Sequence, residues 1–180
     1  MNFKIRKATR ENVDAIEDVM RRSLATLGRP AYDEEQVASA IRHTAHLDVT
    51  MIDDGTYFVA VDDGGTIVGC GGWSRREKLF RGSAEQEDDA KVRLLDPATE
   101  AARVRAMFVD PAWSRRGIGR EILLRAENAA RREGFRKTIL MAMLSGEGLY
   151  VASGYKPVEP ATIETPDGVA LPCIVMEKEL

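Results

Sequence analysis

The stretch DPAWSRRGIGREILLRAENAARREG, residues 110–134, sets Gly117 and Gly119 beside Arg115, Arg116 and Arg120 where an amphipathic helix begins. Glycine lets a ligand approach the backbone closely, and the first amides of a helix have no acceptor within it. Such a place suits an anion. The helix dipole contributes only about 0.3–2 kcal/mol per favourable charge, so three arginines point to a multiply charged ligand, a diphosphate before a lone carboxylate. The competing reading is a glycine turn that permits tight helix packing, with the arginines solvated.

Two phosphate loops fail the spacing test. A Walker A loop needs Gly-Lys-Ser/Thr after four spacers, and no such run exists here. A dinucleotide fingerprint wants a third glycine at the first strand-to-helix turn, whereas Gly117-Ile118-Gly119 comes late and is followed by Arg120, Glu121 and Ile122.

Other candidate groups read as structural. His43 and His46 are three apart on an expected helix with no carboxylate at a clear ligand spacing, so they are taken as a partly buried or solvated pair and no metal site is expected. Cys70 and Cys173 lie far apart in apolar, strand-like settings, as buried reduced thiols rather than a disulfide, a zinc site or a covalent carrier. The Asp pairs at 53–54 and 62–63 precede glycines and serve as turn formers, and Trp73 and Trp113 pack at strand and loop ends.

The positioning elements follow from periodicity. Residues 3–8 alternate as a half-exposed strand; Thr9 caps a helix carrying Val13, Ile16, Val19, Met20, Leu24 and Leu27 on one face. Asp33 and Gln36 open a second helix. TYFVAV and TIVGCGGW form a hairpin across DDGG, and AARVRAMFVDP is the strand before the glycine loop. Ile118, Ile122, Ala126, Ala129 and Ala130 are the buried stripe of the next helix, which Gly134 ends. Residues 138–143 are a strand, 146–153 a short helix, and 155–158 and 173–178 the last strands. The order is β-α-α-β-β-β-α-β-α-β-β. Residues 75–100, rich in both charge signs and without a period, are either a solvated loop or a flap beside a site.

With 180 residues, 44% apolar and 31% charged, and strands alternating with helices, the chain is expected to be one globular α/β domain. A net charge of −3 gives no general reason to expect a nucleic-acid partner. The start MNFKIRKATREN has no apolar targeting core and no run reaches membrane-spanning length, so no membrane partner and a cytoplasmic location are expected.

MFVDPAWSRRGIGREIL resembles the acetyl-CoA-binding segment of the GCN5-related N-acetyltransferase (GNAT) superfamily, and LYVASGY is similar to its Tyr-x-x-x-Gly-Phe/Tyr signature. Ser114 departs from the Gln or Arg usual in that loop. The resemblance implies the GNAT fold, an α/β domain with a mixed, mostly antiparallel sheet flanked by helices, and an acetyl-CoA-dependent N-acetyltransferase with no metal. It places the pantetheine arm along the main chain of Met107, Phe108 and Val109. The pyrophosphate falls on the amides of Arg115, Arg116, Gly117, Ile118, Gly119 and Arg120.

Tyr150 matches the tyrosine that protonates the departing thiolate. The usual strand glutamate is replaced by Arg103; Glu100, Glu147 and a water chain stand open as bases. The implied acceptor is a primary amine, on a small molecule or a peptide. Residues 22–46, 75–100 and 159–172 would select it. A homodimer is the default expectation. Two alternatives remain: a non-catalytic acyl-CoA-binding regulatory or sensor module, and a nucleotide-phosphate binder using the same loop.

Overall fold

The computed structural model describes residues 2–77 and 92–180. Its elements are β1 (Phe3–Lys7), α1 (Val13–Leu27), α2 (Glu34–Thr44), α3 (Thr50–Asp53), β2 (Tyr57–Asp62), β3 (Ile67–Ser74), β4 (Ala102–Val109), α4 (Ile118–Arg132), β5 (Lys137–Met143), α5 (Glu147–Ala152), β6 (Lys156–Glu164) and β7 (Ala170–Glu179). Among the described residues the strands form one sheet in the order β1-β2-β3-β4-β5-β7-β6. Every pair is antiparallel except β4–β5.

Helices cover both faces. Tyr57 and Val59 of β2 pack with Ile16, Val19 and Met20 of α1, while Phe58 and Ala60 join Ile118, Ile122 and Ala126 of α4. That double burial is why YFVAV reads as a continuous apolar run instead of an alternating one. Two cap features hold as read: Asp33 accepts the Gln36 amide at 2.8 Å, and Asp62 Oδ1 accepts the Gly64 and Thr66 amides at 2.9 and 2.8 Å, making the hairpin turn.

Several expectations need correcting. Thr9 caps a short 3-10 turn at Arg10–Asn12, and α1 proper starts at Val13. A short helix, α3, precedes the Asp-Asp-Gly turn and shares Asp53 with it. The final strands are longer than 155–158 and 173–178; β6 runs through Pro157 and Pro160 because it is an edge strand, where a missing N–H is tolerated. Ala129 is only partly buried, and Leu123 and Glu127 take part in the buried face of α4. Residues 78–91, the middle of the stretch weighed as a loop or flap, lie outside the described residues. Its ends are tied: Arg76 pairs with Asp54 at 2.9 Å, and Arg93 with Glu100 at 2.7 Å.

The GCGG run of β3 does more than form a hairpin. A Cβ at Gly69 would lie 2.6 Å from Ile118 Cγ2, and one at Gly71 would lie 2.2 Å from Met107 Sδ, so α4 and β4 close onto bare backbone. At Gly72 the obstacle is main chain, with Thr56 O 2.3 Å away. Gly72→Ala is therefore expected to lose about 1–3 kcal/mol and to melt about 2–4 °C lower per kcal/mol. Gly148→Ala, where nothing lies within 4 Å, should melt at or slightly above wild type in the same thermal scan.

Candidate active site

The site begins where two strands part. β4 and β5 pair only at Ala102↔Thr138 and Arg103↔Ile139. Beyond Arg103, β5 stays bonded to β7 through Met143↔Cys173, while β4 stays with β3 through Gly69↔Val109. The β5-facing main chain of Val104–Val109 thus has no strand partner. Buried backbone groups demand partners, so such an edge is a template for an extended ligand bearing amides.

A bulge aims that edge. Gly72 opposes Arg105 and Cys70 opposes Phe108, leaving Gly71 to face both Ala106 and Met107. Ala106 has φ 53°, a left-handed conformation that disfavours a residue with a Cβ by about 1–2 kcal/mol. The buried Tyr57 hydroxyl donates to Ala106 O at 2.7 Å and holds the distortion.

A cavity of about 670 Å³ fills the wedge. Met107, Phe108 and Val109 line it from β4, Arg115, Gly117, Ile118, Gly119 and Arg120 from the loop and α4, and Tyr150 from α5. Gly117 is the helix N-cap at φ 83°, and Arg115 is also left-handed at φ 61°. The first intrahelical bond runs from the Glu121 amide to Gly117 O at 3.0 Å, so the amides of Ile118, Gly119 and Arg120 have no acceptor in their own helix. Arg116 is the exception among the anticipated loop residues. Its guanidinium lies over the Trp113 ring, 4.8 Å from the centroid, and does not line the cavity. Ser114 turns back on its loop, its hydroxyl donating to Pro111 O at 2.9 Å.

Tyr150 is 8% exposed, and its ring stands edge-on to Tyr155 at 5.7 Å. Its hydroxyl makes no hydrogen bond to any described residue. Burial pushes the phenol above its ordinary range, so it is a protonated donor throughout the neutral range. Cys70 is no nucleophile, since burial pushes its thiol up to about 12.

The cavity's α1/α2 side holds groups the sequence did not single out. Arg105 Nη1 donates to Asp48 Oδ2 at 2.8 Å, and their side chains are only 6% and 5% exposed. Burial raises the Asp48 carboxyl, but the charge and hydrogen bond of Arg105 more than offset this and hold it below the ordinary range. Arg105, the second of two arginines in the otherwise apolar run ARVRAMFV, was the available signal.

The two histidines are not a pair. His43 Nε2 lies 3.1 Å from Asp167, whereas His46 lines the cavity. A carbonyl only accepts, so His46 Nε2, 3.0 Å from Arg42 O, carries the proton and Nδ1 is the basic atom of the neutral ring. The expected bases fare worse: Glu100 is held at about 2 by hydrogen bonds from Arg93 and the Asp96 amide, and neither it nor Glu147 lines the cavity. No cluster of three metal-ligating side chains occurs among the described residues.

A wedge between parallel strands, opened by a bulge and closed by a helix N-terminus, defines a GNAT-like fold. Residues 16–155 match the family model described as the acetyltransferase (GNAT) family. The chain belongs to that family. No curated protein matches the sequence.

Among solved structures it is similar to a GCN5-related N-acetyltransferase from Rhodopseudomonas palustris, with 18% identity, a TM-score of 0.72, and 100% and 97% of the two chains covered. It is also similar to the PaiA N-acetyltransferase of Thermoplasma acidophilum in complex with coenzyme A, at 18% identity and TM-score 0.66 over 100% of both chains. A phosphinothricin acetyltransferase from Sinorhizobium meliloti in complex with AcCoA matches at 20% identity and TM-score 0.64, covering 100% of this chain and 89% of that one. No described helix is long and apolar enough to cross a membrane.

Removing one member of the buried pair should be costly. Arg105→Met is expected to lose about 3–5 kcal/mol in urea unfolding, and the double variant with Asp48→Leu should recover much of it. Because the folded Asp48 value is depressed, the pair's contribution is complete above about pH 4 and fades as pH falls through the folded value. The double variant should lack that part of the acid slope.

Proposed function

We propose that this protein transfers an acetyl group from acetyl-CoA to a primary amine by direct attack on the thioester in a ternary complex. The observation that carries the reading is one continuous cavity running from the open amides of α4, along the unpaired edge of β4, to the Tyr150 hydroxyl. The CoA and AcCoA complexes of the PaiA and phosphinothricin acetyltransferase structures support it. The pyrophosphate would rest on the amides of Ile118, Gly119 and Arg120, with Arg115 and Arg120 supplying charge. The pantetheine amides would pair with Met107, Phe108 and Val109 as an added strand.

The amine must reach the carbonyl without its proton. An alkylammonium with pKa near ~10.4 is mostly charged at neutral pH, a deficit of roughly 4–5 kcal/mol. Among the described cavity-lining side chains His46 is the proton acceptor: the arginines cannot accept, Asp48 is committed to Arg105, and Tyr150 is already protonated. As the amine attacks, charge grows on the thioester oxygen and a β4 amide, at Phe108 or Val109, stabilises it. The C–S bond then breaks as Tyr150 gives its proton to the sulfur, and the new amide nitrogen gives up its second proton to the phenolate, directly or through water, which restores Tyr150. Burial makes the phenol a weaker acid, but the thiolate is left in the same dry cavity, which raises its own proton affinity. Cys70, buried and protonated, carries no acyl group, so the amine attacks the cofactor itself.

Calorimetry and thermal shift with coenzyme A test the cofactor site. CoA should bind and should stabilise the fold more than ATP or NADH does; equal or greater stabilisation by either nucleotide overturns the reading. Tyr150→Phe and His46→Gln should each lower turnover about 10²-fold or more with CoA affinity kept, as expected for lost proton transfer. CoA binding without release of CoA thiol across a broad amine panel would favour a sensor module instead.

A further inference from the structure

Resting on that acetyltransfer reading, we propose that the acceptor is an amine that also carries a carboxylate, and that Arg105 receives the carboxylate. Arg105 belongs to the same strand as the proposed thioester site, two residues before Met107 and immediately before the bulge at Ala106. It lines the α1/α2 side of the cavity together with Asp48 and His46. One strand therefore carries a fixed cation and the proposed thioester site into the same cavity.

The guanidinium is under-used as it stands. It offers five N–H donors in a rigid fork, yet among the described residues its one hydrogen bond is Nη1 to Asp48. Its side chain is 6% exposed and the residue lines the cavity, and no described residue takes up the donors at Nε and Nη2. A carboxylate in the plane of the fork would accept from two of them at once. A simple amine has nothing to offer there.

Asp48 sets the charge balance. It accepts the Thr50 amide at 3.0 Å through Oδ1 as well as the Arg105 bond through Oδ2, which fixes its orientation. The empty site is then near neutral, so a zwitterionic acceptor enters without adding net charge to a buried space, whereas a simple ammonium adds one. Leu27, Met51, Met143 and Ile163 border the same space and suit an apolar side chain or stem.

The test compares matched pairs: phenylalanine with phenethylamine, lysine with cadaverine, and ornithine with putrescine. With wild-type protein and acetyl-CoA, at least one amino acid should show kcat/KM about tenfold or more above its decarboxylated partner, because a site built for a charged hydrogen bond rejects the analogue lacking it. Arg105→Lys keeps the charge beside Asp48 but not the fork, and should narrow the kcat/KM ratio between the amino acid and its partner amine, chiefly by raising KM for the amino acid. Thermal shift of the CoA-loaded wild type gives a readout that needs no turnover and no variant: the amino acid should stabilise and its partner should not. Partner amines that react and stabilise as well as the amino acids overturn the proposal and leave acetyl transfer standing. Failure of coenzyme A to bind would overturn the parent reading itself.

Discussion

The parting of β4 from β5 after Arg103 is the constraint from which the rest of the molecule follows. Interior strands of a sheet normally satisfy each other, and an opened pair leaves buried main-chain groups that only a ligand or water can complete. The protein sustains that opening by making each strand's other side secure. β5 is bonded to β7 along its whole length, and β4 is held to β3, whose glycines let α4 and Met107 close down on bare backbone. The strained Ala106 sits between these holdfasts, with the Tyr57 phenol on its carbonyl.

The sheet divides the cavity's chemistry by face. Met107 and Val109 pack toward α4, whereas Ala106 and Phe108 pack toward α1 and α2. Backbone amides dominate the α4 end, the right equipment for a ligand recognised by diphosphate and amide groups alone. The α1/α2 side carries the charged and titratable groups, Asp48, Arg105 and His46, which are suited to telling one amine from another. Tyr150 stands between the two, buried enough to stay protonated and without a competing partner for its hydroxyl.

What was legible in the sequence was local. The loop SRRGIG declares itself because glycine and the start of an amphipathic stripe are neighbours in the chain, and LYVASGY likewise keeps Tyr150 and Tyr155 on adjoining turns. The order of elements along the chain, α3 aside, came through for the same reason, since each element carries its own periodicity. Asp48 and Arg105 are 57 residues apart and belong to no motif; only the folded sheet brings them together. Arg116 shows a different limit: it is adjacent to cavity residues in sequence, yet its guanidinium lies over the Trp113 ring, and residue type does not reveal which way a loop arginine turns.

The α1/α2 side, proposed above to receive the acceptor, is also mechanically tied, and that bears on how it would select. Tyr32 accepts the Leu144 amide at 2.9 Å and donates to Pro172 O at 2.6 Å, fastening the segment after α1 to the ends of β5 and β7. At the β6–β7 turn Asp167 accepts from Thr165 at 2.6 Å and from Ser39 of α2 at 2.7 Å, with Arg42 ion-paired at 2.7 Å. The Thr165 and Ser39 hydroxyls, aided by His43, hold the Asp167 carboxyl well below its ordinary range, so this fastening persists in mild acid. Walls tied at α2, β6 and β7 leave little room to adjust to a misfitting acceptor. Discrimination on this side then falls to the contents of the space, the fixed charges and the apolar surface of Met51, Met143 and Ile163, more than to closure of the described walls around the substrate.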